Sequence, residues 1–122
     1  MKNYKLLIKY FMDKAQNLSL DYEEQEKIAI KLGLGDYFTE DIANEWFTED
    51  IDCLNELLEK KHINEKVVEL YSMIDNNFIQ VSYNSPEDEN GIWTLGALKN
   101  HQFWETQRQL ARQFINELLK NI

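Results

Sequence analysis

The sequence predicts a mainly α-helical, single-domain bundle of about five to six helices. One proline and four glycines in 122 residues leave few helix breakers. The longer segments space their apolar residues near a period of 3.6. A chain of this length matches one domain, able to bury roughly two-thirds of its unfolded surface. Hydrophobic residues make up 43% and charged residues 29%, a globular balance too apolar for a disordered chain.

The first helix is expected over residues 3–16, with Tyr4, Leu7, Ile8, Phe11 and Ala15 on one side and Lys2, Lys5, Lys9 and Asp13 on the other. A second starts at an Asp21 N-cap, carries Glu23 and Glu24 where the helix dipole favours them, and ends at Gly33. The pentapeptide FTEDI then occurs twice, at residues 38–42 and 47–51. Along one continuous helix this nine-residue shift amounts to about 900° of rotation, which would turn Ile42 and Ile51 to opposite sides. Two helices are therefore expected, capped by Thr39 and Thr48, each with Glu-Asp in its first turn and a phenylalanine, Phe38 or Phe47, before the cap. Phe38, Ile42 and Trp46 form one apolar stripe, and Phe47, Ile51, Leu54 and Leu58 another.

Asn64 can cap a helix over residues 64–74, built on Val67, Val68, Leu70, Tyr71 and Ile74 and broken by Asp75-Asn76-Asn77. Weak alternation over residues 78–83, the turn-rich SPEDENG segment at 85–91 and a return at 92–95 allow one short β-hairpin near residues 78–95. The last helix is expected over residues 101–120 with Asn100 as its cap, burying Phe103, Gln107, Leu110, Ala111, Phe114 and Leu118.

Charge distribution is more informative than its total of −9. Asp36, Glu40, Asp41, Glu45, Glu49, Asp50, Asp52, Glu56 and Glu59 fall between Lys31 and Lys60 without one basic residue among them. The remaining 13 acidic residues balance the 13 basic ones, so the whole excess comes from this stretch. Its field repels phosphate backbones and anionic lipid, which disfavours nucleic acid and membrane as partners and leaves a basic protein, or solubility alone, as its reason. Capping chemistry used twice explains the first-turn acids but leaves Glu45, Asp52, Glu56 and Glu59 without a local reason. These acidic residues, with Trp46 as an apolar anchor among them, are the expected partner-binding surface. Glu87, Asp88 and Glu89 in the SPEDENG segment offer a smaller rival.

No GxGxxG, GxxxxGK[ST], HExxH, GxSxG or EF-hand loop occurs. Glu59-Lys-Lys-His62 has the Glu-x-x-His spacing of di-iron bundles, but His101 has Leu98 where the second pair needs glutamate. The single cysteine, Cys53, excludes an internal disulfide. The apolar residues of the N-terminal segment are interrupted by Lys5 and Lys9, unlike a signal peptide, and no apolar run approaches the ~20 residues of a membrane span. The expectation is a cytoplasmic binding protein with no enzymatic activity, cofactor or metal.

The C-terminal stretch GIWTLGALKNHQFWETQRQLARQFINELL, with Ile92-Trp93-Thr94, then His101 to Trp104, then Arg108 and Ala111, resembles the end of small immunity proteins paired with bacterial polymorphic toxins, including those of contact-dependent growth inhibition. The resemblance implies a cytosolic bacterial protein that binds one cognate toxin domain and blocks it. Many such toxins are nucleases, whose substrate channels must be positive to hold phosphate, and an acidic helical surface suits such a channel. An acidic helical adaptor for another basic protein is the alternative, and a small enzyme the third reading.

Overall fold

The computed structural model describes residues 3–84 and 91–121. Among them run seven helices: α1 (Tyr4–Ser19), α2 (Tyr22–Leu32), α3 (Tyr37–Asn44), α4 (Asp50–Glu59), α5 (Glu65–Asn84), α6 (Leu95–Asn100) and α7 (Gln102–Leu119). The expected all-α class is what the chain adopts, with two corrections. The helices number more than five to six, and the hairpin is absent where it can be judged. Residues 78–84 continue α5, and residues 91–94 are bends leading into α6. Residues 85–90, including Glu87, Asp88 and Glu89, lie outside the described residues.

Local signals explain several boundaries. Asn3 caps α1 by accepting from the Leu6 amide at 3.2 Å, and Asn64 caps α5 by accepting from Val67 at 3.2 Å. Gly33 ends α2 in the left-handed region at φ 68°, where its N–H and that of Leu34 take the last carbonyls. Asp21 begins α2 without a side-chain cap, because its carboxylate instead accepts from Arg112 Nη2 of α7 at 2.8 Å.

Three expectations about caps fail, two for local reasons and one for a tertiary one. Gly35 at φ 55° turns the chain early, and hydrogen bonds spaced three residues apart start α3 ahead of Thr39, whose hydroxyl donates back to the Asp36 carbonyl. Thr48 precedes α4 and gives its hydroxyl to the Asp75 carboxylate at 3.0 Å. Asn100 closes α6; His101 caps α7 through Nδ1, which accepts from Phe103. The Asp75-Asn76-Asn77 run does not break α5. Thr48 occupies Asp75, and Asn77 donates to Gln107 Oε1 at 2.9 Å, so two side chains that would compete with the helix backbone are held elsewhere.

The core is one continuous cluster with α7 at its centre, packed against α1 and α5. Burial on α7 spans two adjacent rows, Trp104, Arg108, Ala111 and Leu118 beside Gln107, Leu110 and Phe114, wide enough to contact both neighbours. Its polar members are hydrogen-bonded, as burial requires. Gln107 donates to the Ile74 carbonyl at 3.0 Å, and Arg108 donates to Gln25 Oε1 at 3.1 Å and the Leu98 carbonyl at 2.9 Å.

Candidate functional site

The acidic stretch becomes α3, a turn and α4. Glu49, Asp52, Glu56 and Glu59 fall at spacings of three, four and three residues, which places them along one side of α4. Glu40, Asp41, Glu49, Asp52 and Glu59 are exposed and have no salt-bridge partner among the described residues. Like charges at this spacing oppose helix formation by roughly 0.2–0.5 kcal/mol per pair; Glu49 and Asp52 gain from the N-terminal end of the α4 dipole, whereas Glu59, at the C-terminal end, has no such local reason.

The other predicted positions are built into the fold to different degrees. Asp36 accepts from the Leu95 amide at 2.8 Å and ties the start of α3 to α6. Glu56 is half-buried. Asp50 accepts from Lys14 Nζ at 2.6 Å and from the Tyr10 hydroxyl at 2.5 Å, linking α4 to α1. Trp46 is corrected outright. It is 5% exposed, with its ring centroid 4.9 Å from Tyr71 and 6.0 Å from Phe114. A side chain already inside the core cannot anchor a partner; the stripe Phe38, Ile42, Trp46 that the sequence shows is the buried face of α3 and the turn after it. The aromatic that reaches the surface is its neighbour Phe47, 51% exposed.

Beside Phe47 lies a feature that the sequence reading missed. Lys14, 3% exposed, sits on the buried face of α1 between Phe11 and Leu18. Its Nζ lies 4.3 Å from the Tyr10 ring centroid, 5.3 Å from those of Phe11 and Tyr71, and 5.6 Å from those of Trp46 and Phe47. This cage of rings, with Asp50 and the Tyr71 hydroxyl at 3.2 Å, takes the place of water around the ammonium. Burial still pushes the Lys14 pKa down, opposed by the Asp50 hydrogen bond. The Tyr71 hydroxyl in turn donates a hydrogen bond to the Phe47 carbonyl at 2.8 Å, fixing the turn before α4. The signal in the sequence was a lysine three residues after Phe11 and four before Leu18, inside the apolar stripe.

Tyr10, Asp13, Lys14, Glu45 and Phe47 line a small cleft of about 160 Å3 over this cage. Glu45 is half-buried there, and burial raises its carboxyl above the usual carboxylate range, while among the described residues the Asn17 amide at 3.4 Å donates to it. Glu59 ends α4 and His62 lies beyond it, stacked on Tyr4 with centroids 4.5 Å apart, so the Glu-x-x-His spacing does not fall on one helix.

The residues that carry the C-terminal resemblance serve packing. Trp104 is fully buried and donates to the Ile92 carbonyl at 2.7 Å, Arg108 bridges α2 and α6, and His101 is a cap. No protein-family model, curated protein or solved structure matches the chain, and the site is therefore read from its own geometry.

Proposed function

We propose that this chain is an immunity protein that binds and neutralises a cognate basic toxin domain, a nuclease, through the acidic surface of α3, α4 and the turn between them. The observation that supports this most is the line of carboxylates on α4, of which Glu49, Asp52 and Glu59 have no salt-bridge partner among the described residues, in a protein whose charge is otherwise balanced. A surface that resembles phosphate in charge competes for a channel that holds phosphate, and complementary fields bring association towards ~10⁸ M⁻¹s⁻¹ at low salt. Rapid capture suits a cell that must block a toxin before it acts. Phe47, exposed at the edge of that surface, supplies an aromatic contact in the place first expected of Trp46.

The test is co-expression with the toxin domain encoded by the adjacent upstream reading frame, read as rescue of growth and as a stoichiometric complex. Reversing Glu49, Asp52 and Glu59 to lysine should lower thermal melting only slightly, because two of these charges sit at the N-terminal end of α4, while it slows association about tenfold or more at low salt and flattens its salt dependence. A triple variant with wild-type rates and salt slope refutes the surface. Equal affinity for unrelated basic proteins would identify an acidic adaptor instead.

A further inference from the structure

We propose that the cleft between Tyr10 and Phe47 receives an arginine side chain of the partner, its guanidinium paired with Glu45 and stacked against the two rings. The proposal rests on the immunity reading for its biological partner, while the cleft itself can be tested alone. Size comes first. At about 160 Å3 the cleft falls below the ~300–1,000 Å3 of small-molecule sites and suits one side chain.

Charge comes second. The Lys14 ammonium in the floor is already matched by Asp50 at 2.6 Å, and Asp13 pairs with Lys9 at 2.8 Å. Glu45 is left as the lining carboxylate whose hydrogen bond comes from a neutral amide. A half-buried carboxylate in that state gains from a cation more than an exposed one does, because less water competes for it.

The walls come third. Lys14 demonstrates on the inner side that Tyr10 and Phe47 accept a cation, and both residues remain open to solvent, 41% and 51% exposed. Arginine fits better than lysine because its planar fork can pair with a carboxylate and stack on a ring at once, whereas an ammonium is compact and strongly hydrated.

The probe is N-acetyl-arginine amide, titrated into the intact protein and followed by amide and aromatic NMR shifts. N-acetyl-citrulline amide, uncharged and of the same shape, and N-acetyl-lysine amide are the comparisons. Saturable shifts centred on Tyr10, Lys14, Glu45 and Phe47 are expected, with a Kd on the order of 10 mM. Glu45→Gln and Phe47→Ala should each weaken binding about fivefold, and Phe47→Leu, which keeps apolar area but no ring, should behave like the alanine variant. Glu23→Gln on α2, which does not line the cleft, should bind as wild type. Unchanged melting of each variant shows that the fold is intact. Equal binding of citrulline or lysine amide, shifts that never saturate, or indifference to Phe47→Leu overturns the proposal. A toxin complex that forms while arginine amide fails to bind removes the cleft and leaves the immunity reading; arginine binding without any toxin complex does the reverse.

Discussion

The buried Lys14–Asp50 pair makes the most direct claim about what holds the acidic segment in place. At 2.6 Å the Coulomb attraction is about 6 kcal/mol for an effective dielectric near 20, most of it offset by removing both groups from water. The net worth of the pair is therefore read from single and double variants. Lys14→Met keeps an unbranched apolar stem among the rings and leaves Asp50 with its Tyr10 hydrogen bond and 18% side-chain exposure, for a loss of about 2–3 kcal/mol. Asp50→Asn strands an ammonium whose side chain is only 2% exposed and removes a charge from the first turn of α4; the loss is about 3 kcal/mol, limited because a buried lysine can shed its proton. In the double variant neither charge is stranded, so its loss should fall short of the sum by about 2–3 kcal/mol. Urea unfolding followed by far-UV circular dichroism measures all four corners of the cycle. Additivity within about 0.5 kcal/mol would refute the coupling and the role given to the cage.

Phe114→Ala should cost about 3–5 kcal/mol in the same unfolding assay, because the ring is fully buried between Trp46 and Tyr71; a loss within about 0.5 kcal/mol would mean that α7 is not central. Asp75→Asn should match or exceed the wild type in stability at pH 7, since burial raises the Asp75 carboxyl and a raised acid loses stability as pH rises through its folded pKa. The advantage should shrink as pH falls from there towards the ordinary carboxylate range, and a pH-independent difference between the two melting curves would contradict it. The charge reversal of Glu49, Asp52 and Glu59 and the arginine titration of the cleft separate the long-range field from the local contact, the first acting on association and its salt slope, the second on one saturable site.

Much of the secondary structure was legible because it depends on neighbours in sequence. Period-3.6 apolar stripes specify α1 and α7, Asn64 caps α5 through its own third residue onward, and Gly33 stops α2 by a backbone conformation that glycine adopts freely. The concentration of negative charge between Lys31 and Lys60 is likewise a property of the chain. What the sequence could not determine depends on distant partners. Asp75 and Asn77 read locally as a helix break, and become helix interior once Thr48 and Gln107 engage their side chains. The short helix α6 depends on a Thr94 cap and on a Leu98 that finds the core only after the bundle has assembled. Trp46, flanked by Glu45 and Phe47, looks like a surface anchor in one dimension; the turn between α3 and α4 sends it inward and Phe47 outward. Lys14 reads as one more solvated lysine until Asp50 and five aromatic rings, drawn from α1, α5 and that turn, close around it. Which carboxylates stay exposed and which stabilise the fold is decided there, by which of them the tertiary structure brings within reach of a donor.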